Sequence, residues 1–168
     1  MAGGQFQFGP TFNSTRYVRA LVEGDINGFY EIDVDAAQAI GGELAGKIAA
    51  MNADGKLVTA GANGAGALGL YREDLGDMVN ASGKASFYFR GGEYHISESR
   101  LGQTIDKFPI GSEVTCDANG ALIPMTSGST AKAIGTVVSN GIFTMGNMYK
   151  WAGEALNGGK FLGIILHM

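Results

Sequence analysis

Residues 111–138 read GSEVTCDANGALIPMTSGSTAKAIGTVV, and how this stretch is read decides the fold. A short alternating run opens it, Asp117-Ala118-Asn119-Gly120 turns it, and Leu122-Ile123 resumes it. Asn-Gly between two strand-forming runs predicts a hairpin, because both residues tolerate the positive φ of a type I′ turn. A polar loop at 126–130 then leads to a third apolar run at 133–138. The stretch is an antiparallel β unit with no evident chemistry in it.

The unit has a counterpart upstream. Residues 46–60, GKIAAMNADGKLVTA, lie over residues 111–125 without a gap. Gly46, Ala53, Gly55 and Leu57 match Gly111, Ala118, Gly120 and Leu122, while Asn52 and Asp54 answer Asp117 and Asn119. One inserted residue later, Ala67-Leu68-Gly69 answers Ala133-Ile134-Gly135. The expectation is an internal repeat, about 46–70 and 111–136, in which one supersecondary unit is used twice.

The shared pattern is Gly-x-x-[Val/Ile]-x-x-Asp-x-[Asp/Asn]-Gly-x-Leu-[Val/Ile], a Ser/Thr/Gly loop, then Ala-[Ile/Leu]-Gly. It resembles the capsid decoration, or cement, proteins of tailed bacteriophages, most clearly over 111–138 and less so over 46–70. The resemblance covers about half the chain and rests on turn chemistry. It implies a mainly β fold of small β-barrel- or sandwich-like (β-tulip-like) units, with two related halves. It also implies a structural, non-enzymatic protein, made in the host cytoplasm and placed on the exterior of the virion capsid. The implied partners are the major capsid protein and neighbouring copies of the chain.

Composition agrees with a β-rich globular protein. Of 168 residues, 45% are apolar and 17% charged, and 28 glycines against three prolines point to many tight turns and few long helices. The net charge of −4 and the scatter of the 12 basic residues argue against a nucleic-acid partner. The start, MAGGQFQFGP, lacks the basic and apolar regions of a secretory leader. No apolar run has the length of a membrane span, so no membrane partner is expected. The single cysteine, Cys116, rules out an intrachain disulfide and is expected to be a small packed thiol.

Residues 1–16 have no helical period, and Pro10 interrupts any strand. They are expected to form an extended arm ahead of a β-rich domain at 17–168. Phe6, Phe8 and Phe12 either pack on this chain's own core or, with Pro10, dock on the capsid or a neighbouring copy. Residues 17–22 and 28–34 are predicted strands around a turn at 23–28, with Tyr30, Ile32 and Val34 on one face. At most a short helix is expected near 36–40, with Asp35 as candidate cap, because Gly41, Gly42 and Gly46 oppose a longer one.

Gly64-Ala65-Gly66-Ala67-Leu68-Gly69 spells a dinucleotide fingerprint, but no suitable helix follows it, so a glycine-rich β loop is expected. Residues 85–90 and 93–97 are predicted to form a hairpin through Gly91-Gly92, with its aromatics in the core. Ser139-Asn140-Gly141 is a further predicted turn, into a run at 142–145, and 160–167 a final strand buried on both faces.

His95 and His167 belong to no metal-binding pattern, the carboxylates are dispersed at turns, and no GxSxG is present. No catalytic, metal or cofactor site is therefore expected. Three other functions remain open: a tail-tube or fibre subunit, a carbohydrate-binding module using Tyr88, Tyr94 or Trp151, and an enzyme built on the glycine loop.

Overall fold

The computed structural model describes residues 17–77, 83–141 and 160–168. The protein is mainly β, and the described residues form two antiparallel sheets. In chain order the strands are β1 (Val18–Val22), β2 (Asp25–Asn27), β3 (Ile48–Met51), β4 (Leu57–Thr59), β5 (Gly69–Tyr71) and β6 (Phe87–Arg90). They continue with β7 (Glu93–Ser97), β8 (Glu113–Cys116), β9 (Leu122–Pro124), β10 (Gly135–Ser139) and β11 (Phe161–Leu166). One sheet has the order β1-β7-β11-β10-β8-β9, the other β2-β6-β5-β3-β4.

Among the described residues neither sheet closes into a barrel. The β4 and β9 edges are met by other backbone. Leu57 of β4 donates to the Glu31 carbonyl and accepts from Asp33 N–H, and Leu122 of β9 accepts from Gly102 N–H. Edge groups satisfied in this way are not available to close a barrel.

The alternation of side chains across each strand builds two apolar layers. Ile48, Ala50, Leu70 and Tyr88 of the smaller sheet face Tyr94, Ile96, Val114, Leu122, Leu162 and Ile164 of the larger one in the main core. The intervening Ala49, Tyr71 and Phe87 point the other way, onto Ile32, Ala37 and Leu44. Ala37 lies on α1 (Val34–Ala39), which covers that outer face.

The helix is short, as expected, but Asp33 caps it rather than Asp35: the Asp33 carboxylate accepts from Ala36 N–H. Its end is a Schellman turn, with Gly42 N–H on the Ala37 carbonyl, Gly41 N–H on the Gln38 carbonyl, and Gly41 at φ +72°.

Two predicted hairpins do not form. Residues 17–22 and 28–34 do not pair. Instead β1 pairs with β7, and a strand at Asp25–Asn27, where a turn was expected, pairs with β6. Residues 28–34 make only isolated bridges from Glu31 and Ile32, and Tyr30 and Val34 are exposed while Ile32 is buried. Likewise β6 and β7 do not pair with each other but belong to different sheets. The physical reason is a double crossing: β1–β2 and β6–β7 pass side by side from one sheet to the other. Gly24 and Gly91-Gly92 mark the crossing, where a Cβ at Gly24 would collide with the Arg90 and Gly91 carbonyls. Each pair therefore gains its partner from the other crossing chain.

The stretches 46–71 and 111–137 fold alike. Ala49, Ala50 and Met51 pair with Thr59, Val58 and Leu57, as Val114, Thr115 and Cys116 pair with Pro124, Ile123 and Leu122. β3 pairs with β5 through Ala49↔Gly69, and β8 with β10 through Val114↔Gly135. The turns differ from the type I′ expectation, since only their glycines, Gly55 (φ +76°) and Gly120 (φ +78°), have positive φ. Each is built on an acceptor side chain. Asn52 Oδ1 accepts from Asp54 and Lys56 N–H, and Asp117 Oδ1 from Asn119 and Ala121 N–H, at 2.9–3.0 Å. An Asx turn thus fixes the first corner and leaves only the last residue to adopt the left-handed region.

Candidate functional site

The residue types that carry chemistry are mostly committed to structure. Cys116 is buried, its thiol donates to the Gly61 carbonyl at 3.4 Å, and burial pushes its pKa up to about 11. It is the packed thiol the sequence predicted. His95 is buried 3.6 Å from the Glu93 carboxylate. Burial lowers its pKa against the pull of Glu93, favouring a neutral ring. His167 Nε2 lies 2.8 Å from Thr136 Oγ1 of β10. Among the described residues no group of three or more His, Cys, Asp or Glu side chains could hold a metal ion. Nor is any described helix long and apolar enough to cross a membrane.

Asp74 and Arg100 form the most developed polar cluster. Two guanidinium nitrogens reach the two carboxylate oxygens at 2.6 and 2.8 Å, and Asp74 Oδ1 also accepts from Leu44 and Ala45 N–H. Arg100 donates to the Ala45 carbonyl as well, and its guanidinium lies 3.7 Å from the Tyr17 ring centre. Burial raises the Asp74 pKa, but the Arg100 hydrogen bonds, the backbone donors and the guanidinium charge outweigh it and hold it below the usual range. The cluster is a clasp that fixes the approach to β3.

The glycine-rich loop 64–69 leads from β4, through a short 3-10 turn (Ala62–Gly64), to β5 on the other side of β3, each strand pairing antiparallel with β3, and the connection contains no α-helix. Its backbone already serves the second unit: Lys132 donates its N–H to the Asn63 carbonyl and its Nζ to the Ala67 carbonyl. A Cβ at Gly69 would strike the Tyr88 carbonyl. Gly69 thus permits close packing of backbone on backbone.

The central aromatics are core, as expected. Tyr88 and Tyr94 are buried with ring centres 4.4 Å apart; the Tyr94 hydroxyl donates to the Gly91 carbonyl and accepts from Gly24 N–H. Their faces are not open to a sugar. Trp151 lies outside the described residues, as do Phe6, Phe8, Pro10 and Phe12.

What the surface offers is apolar contact. Nine large apolar side chains are exposed among the described residues, and six of them fall within 21–34: Leu21, Val22, Ile26, Phe29, Tyr30 and Val34. Phe29 is 78% exposed, and Ile110, 66% exposed, stands apart at the approach to β8. Sequence reasoning missed both, because an alternating apolar run such as 28–34 reads as a half-buried strand. Compared with protein-family models and with curated proteins, the chain finds no match in either.

Proposed function

We propose that this chain is a structural virion protein that binds the outer surface of a tailed-phage capsid and stabilises it by bridging capsid subunits. The observation that carries the proposal is the shared motif itself. Every position on which the resemblance rests sits in one of two equivalent hairpin units, with Gly55 and Gly120 in the same left-handed conformation and Asn52 and Asp117 in the same acceptor role. The exposed apolar stretch 21–34 supports a binding role, since clustered exposed apolar side chains mark contact surfaces.

Stabilisation needs no catalysis. A protein that binds the assembled shell better than free subunits shifts the equilibrium toward the shell by mass action. A molecule, or a set of joined copies, that spans two capsomers multiplies modest contacts by about 10²–10⁴. Phe6, Phe8 and Phe12, outside the described residues, are proposed as further apolar anchors.

The test is co-sedimentation with undecorated capsids built from the major capsid protein of the same genome. Saturable binding at a fixed ratio to the capsid protein is expected. A variant lacking residues 2–12 should stay folded by circular dichroism and bind poorly. A full-length chain that remains in the supernatant at every concentration would overturn the proposal.

A further inference from the structure

We propose that a second copy of this chain docks its 52–56 turn on the start of β8, repeating between molecules the contact that the 117–121 turn makes with the start of β3 within one molecule. This deepens the capsid reading by naming how neighbouring copies join. Its test uses no capsid, so its failure leaves capsid binding standing.

Within the chain the contact is specific. Gly120 carries its carbonyl onto Ile48 N–H at 2.8 Å, while Ala60 N–H returns to the Ile48 carbonyl at 2.8 Å. A Cβ at Gly120 would lie 2.9 Å from Thr59 Cβ and 3.0 Å from the Ile48 carbonyl, so turn and strand are seated backbone to backbone. The following residue, Ala121, is buried.

The equivalent parts for a second such contact are both present and both open. The 52–56 turn has the hydrogen bonds of its counterpart, yet residues 53–56 are exposed and nothing lies within 4 Å of a Cβ at Gly55. At the receiving end, Glu113 occupies the place of Ile48, and Met125 N–H returns to the Glu113 carbonyl at 3.0 Å as Ala60 does to Ile48. Glu113 and Gly111 are exposed, with nothing within 4 Å of a Cβ at Gly111, and Ile110 stands where the buried Ala45 stands in the other unit.

The substitutions between the units suit a contact made in water. Where the chain has the buried Ala121 and Ile48, the equivalent open positions carry Lys56 and Glu113, residues of opposite charge. Turn and receiving edge are different surfaces, so the contact is head-to-tail and propagates into a ring or a chain of copies. Complementary charge selects that register over others.

Sedimentation velocity of the full chain over rising concentration tests the proposal. Self-association is expected. K56E and E113K should each weaken it about tenfold, and the K56E/E113K double variant should restore it. Both sites are exposed, so unchanged circular dichroism is expected. As a second measurement, mixing Lys56→Cys chains with Glu113→Cys chains under mild oxidation should give cross-linked pairs far faster than either alone. A wild-type chain that stays monomeric to about 1 mM, a millimolar Kd being the weak limit of useful contact, would overturn the proposal. So would single variants that associate like wild type, a double variant no better than the singles, or absence of the mixed cross-link.

Discussion

The two hairpin units have the same strand registers, the same side-chain-bonded turn and the same left-handed glycine, yet opposite surroundings. In the first, the approach to β3 is enclosed: Leu44, Ala45 and Ile48 are buried, and a Cβ at Gly46 would lie 2.9 Å from Ile96 Cγ2. In the second, the approach to β8 is open, with Ile110 and Glu113 exposed. The turns are reversed in this respect, 117–121 seated on the other unit and 52–56 in solvent. Local sequence sets the unit; the residues flanking it decide whether the unit becomes core or contact surface.

The largest effect should come from the clasp that only the first unit has. Asp74→Ala strands the buried Arg100 and two backbone donors, and removing one partner of a buried pair costs about 3–5 kcal/mol. Urea denaturation would measure it, and a loss under 1 kcal/mol would mean the clasp is ornamental.

Next come the turn glycines. Gly120→Val and Gly55→Val both force a β-branched residue into positive φ, a strain of about 1–3 kcal/mol. Gly120→Val also meets Thr59 and Ile48, whereas Gly55→Val meets open space. The first should therefore lower the melting temperature clearly more than the second. Equal losses would show that the seating of the 117–121 turn contributes nothing.

Acid should separate the enclosed parts in two steps. The folded pKa of His95 is depressed, so the unfolded chain binds its proton first. Stability then falls as pH drops below about 6.5, until the folded pKa is passed. The Asp74 pKa is also depressed, so its contribution is complete above the unfolded value of about 4 and is lost as pH falls through the lower folded value. Asp74→Asn should flatten only the second step, seen in denaturation midpoints from pH 7 to pH 2.

The smallest effects should be matched. Asn52→Ala and Asp117→Ala each remove the acceptor of two turn N–H groups, which costs about 1 kcal/mol apiece by analogy with helix caps. Losses differing by more than a factor of two would mean that the turns are not equivalent.

The positions of the two turns were legible because the signal is local, but their chemistry was misread: the Asn/Asp-Gly pairs suggested type I′, whereas Asn52 and Asp117 build each corner and only the glycine takes positive φ. The repeat itself was legible from the same motif, and the structure adds the matching β8–β10 and β3–β5 pairings. The pairings of β1, β2, β6 and β7 were not legible, because Gly24 and Gly91-Gly92 read as hairpin turns when they are crossings between sheets. Nothing in 28–34 tells a strand from an exposed connection capped by Asp33, since Ile32 is buried and Phe29 is not. The clasp was hidden for a related reason. Asp74 and Arg100 lie 26 residues apart, and only the fold brings them within 2.6 Å.

The central claim, that this chain stabilises a phage shell by binding its exterior, is tested most directly by calorimetry of undecorated capsids with and without the purified chain. The capsid transition should move upward with added chain and level off when sedimentation shows the lattice to be saturated. A transition that stays where it was, with the chain bound or unbound, would contradict it.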